Sequence, residues 1–434
     1  MTVADRIRAV LADAPVIDGH NDLAWALRHR VGYDFDKLDI AVDQSAAGLH
    51  TDLPRLRAGG VGAQFWSVYV PCARSGDAAV AATLEQIDAV RRMIERYSDD
   101  LVLATTADEV EQAHAAGKIA SLLGMEGGHS IACSLGTLRM MYALGVRYLT
   151  LTHMKNTPWA DSATDSPAVG GWSAFGREVV QECNRLGMLV DLSHVASSTM
   201  HAALDVSRAP AFFSHSSARA VCDHPRNVPD DVLTRVRDSA GIVMVNFAAG
   251  FLNEECREWI AGLFAERERL TQDFGDHNPE WYRAQAAWVQ ANPRPPCDVG
   301  DVADHIEQVR TVSGVDHVGL GSDFDGVAAV PDGLQGVEGY PALLAELAAR
   351  GWSDLELAKL TWHNALRVLR ATESVAAEEQ RTRGPSRATF AELDPRHTPD
   401  HTPRLADTRL VVRGGRKSYR GGLVRLILKK LRQR

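Results

Sequence analysis

The sequence predicts an α/β chain folded as a (β/α)8 barrel of the TIM type, with an insertion before the last strand and an extension at the C-terminus. Three observations predict it. Apolar runs of strand length alternate with amphipathic stretches of helical spacing, the runs number eight, and run after run ends at or near a His, Asp or Glu.

The strands are expected at residues 16–19, 63–70, 119–125, 147–152, 188–193, 210–214, 242–247 and 317–322. Between them, apolar residues recur every three to four positions at 77–97, 135–144, 172–186, 197–206 and 302–312, the spacing of a helix with one buried face. Parallel strands need crossovers of this length, so alternation implies a parallel sheet with helices outside it. Residues 253–296, between the seventh and eighth strands, combine helical pattern with the proline-rich NPRPP and form either a lid or a side helix pair. Length alone would suggest about three domains, but one barrel with residues 1–375 and a basic extension at 376–434 is the simpler division.

Composition sets limits on function. Hydrophobic residues make up 45% and charged residues 24%, as in soluble globular proteins. The longest nearly apolar stretch, 240–251, is interrupted by Asn246 and falls short of the roughly 20 residues of a membrane helix, so no transmembrane segment is expected. The N-terminus carries Asp5, Arg6, Arg8 and Asp13 and does not read as a secretory signal, which gives a cytoplasmic location as the expectation. Cys72, Cys133, Cys183, Cys222, Cys256 and Cys297 are too scattered for a zinc knuckle or redox pair, and a Cys222–Cys256 bridge stays open. From Arg404 to Arg434 eleven Lys or Arg face one acid, Asp407, so this tail is +10 and the remainder −19 of a net −9. An acidic body argues against nucleic acid as a partner of the main domain.

The chemistry lies at the ends of the runs. In PVIDGHNDLAW, Val16 and Ile17 lead to His20 and Asp22, which share a face of an extended chain. KIASLLGMEGGHS runs into Glu126, a carboxylate that is costly beside an apolar strand unless paired or metal-bound. GMLVDLSHV and APAFFSHSSARA bring His194 and His215. These five are ligand types suited to Zn²⁺, and their positions predict a two-metal hydrolase site. Glu126 alone is placed to bridge, with His20 and Asp22 on one ion and His194 and His215 on the other. A bridging water ionised near neutral pH would be the nucleophile. Asp323, in HVGLGSDFDGV, is the candidate to accept its proton and return it to the leaving amine, with Asp325 the nearest competitor and a turn or capping role open for either. His153, beyond the fourth strand, could polarise the scissile carbonyl, and Arg226, in CDHPRNVPDDV, could clamp a substrate carboxylate. A lone histidine and a surface arginine are the plainer alternatives.

VIDGHNDLAW, QFWSVYVP, GMEGGH, LTLTHMKNTPWADSA, GMLVDLSHV, FSHSSARAVCDHPRNVPDD and VGLGSDFDG, in this order, resemble the renal or membrane dipeptidase family, peptidase family M19, among the amidohydrolase-like metal-dependent barrels. The resemblance spans roughly residues 16–369. It implies two zinc ions per chain on His20, Asp22, Glu126, His194 and His215, with Glu126 bridging, His153 and Arg226 at the substrate and Asp323 as proton shuttle. It also implies hydrolysis of dipeptides, L-Xaa-L-Xaa and L-Xaa-D-Xaa, with β-lactam opening in some members. A related amidohydrolase acting on another amide, an N-acyl amino acid or a lactone is the alternative, as is a non-catalytic binding barrel. Secreted members of the family carry a leader and a lipid-anchor signal that this sequence lacks, which again suggests the cytoplasm. A homodimer is compatible with a barrel of this size. In the tail, Leu423, Val424, Ile427, Leu428 and Leu431 would share one helical face opposite Arg425, Lys429 and Arg432, either within a flexible extension or against an anionic surface.

Overall fold

Nine parallel strands form one sheet: β1 (Val16–Asn21), β2 (Val61–Ser67), β3 (Leu101–Leu103), β4 (Ile119–Glu126), β5 (Val146–Thr150), β6 (Leu189–Asp191), β7 (Phe212–Phe213), β8 (Ile242–Val245) and β9 (Val318–Leu320). They belong to a computed structural model that describes residues 2–275 and 278–395. The pairing order is β2-β1-β9-β8-β7-β6-β5-β4-β3, and β2 also pairs with β4, so eight strands close into a barrel. The expected eight strand positions are all present. The ninth, β3, lies outside the ring: Leu101–Leu103 pairs with Ile119–Ser121 at the start of β4, where β5 has not yet begun.

The barrel interior is filled by side chains. Phe65 of β2, Tyr148 of β5 and Phe212 of β7 meet with ring centroids 5.3–5.9 Å apart. Gly124 on β4 makes room for them: a Cβ there would lie 1.9 Å from the Tyr148 ring. Every residue of β1, β2 and β4 is buried, as expected for a sheet covered on its outer face by helices.

Helices supply that cover, and several begin at caps the sequence carries. Asp52 caps Leu53–Ala58 with Pro54 in its first turn, Ser173 caps Ala174–Leu186, and Thr2 with Asp5 forms a capping box on Val3–Asp13. The insertion is a helix pair, Glu254–Phe274 and Pro279–Ala291, joined by Trp259 against Trp288 at 6.0 Å. Cys222 and Cys256 are not bridged, and all six cysteines are free.

Helix Asn364–Thr382 packs against Ala174–Leu186, so residue 375 lies within a continuous helix. Beyond it Phe390 meets Phe175 edge to face at 5.4 Å, and Asp394 accepts from the Phe175 N–H at 3.0 Å. The chain is thus held to the barrel as far as Asp394, beyond the division expected after 375. The amphipathic tail segment around Leu423–Leu431 lies outside the described residues. Among those described, no helix is long and apolar enough to cross a membrane.

Candidate metal centre

The residues expected at the site arrive there because their strands end at one mouth. His20 is in β1, and Asp22 follows it at the N-cap of Leu23–Val31 without making a capping bond, so its carboxylate is free to face His20. Glu126 ends β4 and is followed by Gly127 at φ +101°, a conformation in which a side chain would be strained. His194 and Asp323, three residues beyond β6 and β9, take φ of +68° and +65°. Left-handed backbone costs non-glycine residues on the order of 1 kcal/mol or more, and it turns both side chains into the mouth.

The Glu126 carboxylate divides between two groups. Its Oε1 lies 3.0 Å from His194 Nε2 and 3.4 Å from His215 Nε2, while Oε2 lies 3.5 Å from His20 Nε2. On the first side the two imidazole Nε2 atoms approach to 2.9 Å; on the second His20 Nε2 is 3.2 Å from Asp22 Oδ2. The potential ligand atoms of His20, Asp22 and Glu126 fall within 4.8 Å of one another, as do those of Glu126, His153 and His194, and those of His20, His215 and Asp323. His153, expected only to touch substrate, therefore stands close to the ligand candidates, with Nε2 3.8 Å from Glu126 Oε1.

Groups behind the histidines aim them. Nδ1 of His20 bonds the Tyr148 hydroxyl at 2.6 Å and Nδ1 of His215 bonds Ser214 Oγ at 2.7 Å, which leaves both Nε2 atoms facing the mouth. Ser214 Oγ donates on to Asp191 Oδ2 at 2.7 Å. Asp18, buried in β1, accepts from the Ser322 N–H and hydroxyl and so fixes β9 just before Asp323.

Burial and charge make the titration unusual. Burial would lower His20, but Tyr148, Glu126 and Asp22 hold it well above the ordinary imidazole value. Burial drives His194 and His215 well below it, reinforced by Arg226 and neighbouring imidazoles. Burial opposes ionisation of Glu126, yet His20, His153 and His194 keep it well below the carboxylate range. Burial raises Asp323 to about 7; His20 opposes this, and the charges of Asp22 and Glu126 add to it.

Such a donor set fits divalent cations. Two imidazole Nε2 atoms directed at each other have no good mutual bond when both are neutral acceptors, but two nitrogens on one tetrahedral ion sit roughly 3.3 Å apart. Asp22 Oδ1 is buried with no hydrogen-bond partner among the described residues. Three carboxylates in one buried mouth need positive charge beyond His20 and Arg226.

Above the ligands lies a cavity of about 620 Å³, with Trp25, Tyr69, His153, Arg226, Phe251 and Phe264 in its lining. Arg226 is buried, donates to Ser216 Oγ at 3.2 Å and to the His215 carbonyl at 3.1 Å, and has its pKa lowered to about 10 by burial. It is not a surface arginine. Asp323 and Asp325 also separate. Asp325 Oδ1 accepts from the His50 N–H at 2.8 Å and anchors a loop, whereas Asp323 Oδ2 accepts from Asn246 Nδ2 at 2.8 Å beside the ligands. Gly326 keeps that corner open, since a Cβ there would lie 2.1 Å from Asp22 Oδ2.

Tyr69, Phe251, Asn246 and Tyr148 were not expected from the sequence. Asn246 and Tyr148 had a signal, a polar group inside a strand-like apolar run. Tyr69 and Phe251 had none, because aromatic residues beside strands are ordinary core residues.

A model of the membrane dipeptidase family, peptidase family M19, matches residues 4–383. The chain belongs to that family. Among M19 relatives, Dipeptidase 3 of Macaca fascicularis is 41% identical over 395 residues, covering 90% of this chain and 71% of its own length. Human Dipeptidase 3 is also 41% identical, over 390 residues, 89% of this chain and 70% of its own. A solved metallopeptidase of Rhodobacter sphaeroides, liganded with a phosphinate mimic of the dipeptide L-Ala-D-Ala, is 28% identical and matches with a TM-score of 0.68 over 83% of this chain and 99% of its own. The M19 chain is accordingly a metallopeptidase with a TIM-type barrel.

Family membership corrects the cytoplasmic location expected from the sequence, because M19 is a family of membrane dipeptidases. That expectation rested on an N-terminus that does not read as a secretory signal and on the lack of an anchor signal, and neither reading fixes a compartment.

Proposed function

We propose that this M19 enzyme hydrolyses the peptide bond of dipeptides at a pair of Zn²⁺ ions, with His20 and Asp22 holding one, His194 and His215 the other, and Glu126 between them. The division of the Glu126 oxygens, Oε1 toward His194 and His215 and Oε2 toward His20, is the observation that carries it. The bound ions would supply Lewis acidity for the carbonyl and acidify a water near neutral pH.

The protein's own groups do the rest. Arg226, preorganised by Ser216 and the His215 carbonyl, donates to the C-terminal carboxylate of the substrate. His153, whose pKa burial lowers, presents a neutral imidazole whose N–H donates to the carbonyl oxygen as negative charge builds there. Asp323 takes the proton of the attacking water. As the C–N bond breaks, the same carboxyl gives that proton to the departing amine nitrogen. Burial and the nearby carboxylates push this carboxyl up, and bound cations would pull it back down, so that it can both take a proton and return it. A D-residue on the C-terminal side is included because the Rhodobacter relative holds a mimic of L-Ala-D-Ala.

The test is a panel of L-Xaa-L-Xaa and L-Xaa-D-Xaa dipeptides beside N-acyl amino acids and lactones, before and after chelation. Dipeptide cleavage abolished by chelation and restored by Zn²⁺ is expected. Turnover confined to N-acyl amino acids or lactones would sink it.

A further inference from the structure

We infer that helix Glu254–Phe274 forms the wall against which the side chain of the substrate's C-terminal residue packs, and that this wall selects large apolar side chains there. The inference rests on the dipeptidase reading and on Arg226 as the carboxylate clamp.

A continuous path leads from Arg226 to that helix. The guanidinium carbon lies 5.4 Å from the centroid of the Phe251 ring, and the His224 ring lies 4.4 Å from the same centroid. Asn227, next to Arg226, donates to the Phe251 carbonyl at 2.8 Å, and the Asp223 N–H donates to Glu254 Oε1 at 2.7 Å. The loop carrying the clamp is thus tied both to the 249–251 turn and to the first turn of the helix. Ile260 packs directly on that turn: a Cβ on Gly250 would meet Ile260 Cγ1 at 3.0 Å. Phe264 stands one helical turn farther, on the same face as Ile260.

The lining of this side of the cavity is apolar: Ala248, Gly250, Phe251, Ile260, Ala261 and Phe264. Phe264 is 52% exposed, and Met154, also at the cavity, is 53% exposed. Large apolar side chains left open at the mouth of a binding cavity lose water when a ligand covers them. Arg257, which the helix brings to the cavity, is ion-paired with Glu254 and leaves little net charge for an acidic side chain. Trp25 meets Tyr69 edge to face at 5.1 Å, and Tyr69 lies 4.9 Å from His153, so with His153 at the scissile carbonyl these rings fall toward the N-terminal residue.

The experiment uses the zinc-loaded full chain and five substrates: L-Ala-Gly, L-Ala-L-Leu, L-Ala-L-Phe, L-Ala-L-Asp and L-Ala-L-Lys. Expected kcat/KM values for the Leu and Phe substrates exceed those for Asp and Lys by about tenfold or more. Phe264→Ser and Ile260→Ser should each lower kcat/KM for the Leu and Phe substrates on the order of tenfold and leave L-Ala-Gly within about twofold. Melting temperatures are taken alongside; if Ile260→Ser loosens the helix, the exposed Phe264 position carries the test. Equal cleavage of all five substrates, or variants that lose L-Ala-Gly as much as L-Ala-L-Phe, would overturn this inference alone. No cleavage of any of the five would overturn it together with the dipeptidase reading.

Discussion

Asn246, just past the end of β8, donates its side-chain amide at 2.8 Å to Oδ2 of Asp323, which follows the neighbouring strand β9. This bond favours the ionised carboxylate, against burial and the charges of Asp22 and Glu126, which in the metal-free protein raise the Asp323 pKa to about 7. Removing it should make Asp323 harder to ionise. Because the carboxylate must be ionised to accept a proton, activity falls as pH drops through its pKa. Asn246→Ala should therefore move the acid limb of the kcat/KM profile upward by roughly 0.5–1 pH unit, the equivalent of one hydrogen bond. An unmoved acid limb would show that the limb belongs to another group.

Asp323→Asn keeps the shape and the Asn246 neighbour but cannot carry a proton. Turnover should fall roughly 10²- to 10⁴-fold while the metal content of the protein stays at the wild-type level. Metal analysis and kcat on one preparation check both halves. Wild-type turnover would remove Asp323 from the mechanism.

Arg226→Ala should act on KM. A charge-assisted pair contributes about 1.5–3 kcal/mol, so KM should rise roughly 10- to 100-fold for dipeptides with a free C-terminal carboxylate. C-terminally amidated dipeptides, which offer no carboxylate, should be little affected. Equal effects on both series would rule out the clamp.

Metal uptake should release protons in a specific number. In the metal-free protein His20 has a raised pKa and is protonated at pH 6, whereas burial keeps His194 and His215 neutral. A ligand must lose its proton to bind. Zinc binding at pH 6 should thus release about one proton from His20, most of one from Asp323 and up to one from the water the ions acidify, and affinity should rise with pH as His20 loses its proton unaided. Calorimetry in buffers of different ionisation enthalpy counts them. Release of four or more would mean that His194 and His215 also start protonated.

The legible parts of this molecule are those written locally in the chain. Eight barrel strands could be read because each is an apolar run, and the candidate ligands because each stands at or just past the end of one. β3 escaped because Leu101–Leu103 is three residues long and only partly buried. The division at residue 375 failed to find an element end because helix Asn364–Thr382 keeps its buried positions through Ala376 and Glu379. The supporting groups depend on register between strands: Asp191 reaches Ser214 because β6 pairs with β7, and Asp18 reaches Ser322 because β1 pairs with β9. Asn246 was visible only as an interruption of an apolar stretch. Which face of helix Glu254–Phe274 borders the cavity depends on how it docks on the 249–251 turn, which no periodicity encodes.

On the proposed reading, one carboxylate, Glu126, is shared by two metal ions. Anomalous diffraction at the zinc edge from crystals of the zinc-loaded protein tests it most directly. Two peaks roughly 3.5–4 Å apart are predicted, one beside His20 and Asp22 and one beside His194 and His215, with one Glu126 oxygen on each. A single peak, or two peaks with Glu126 bound to neither, would contradict it.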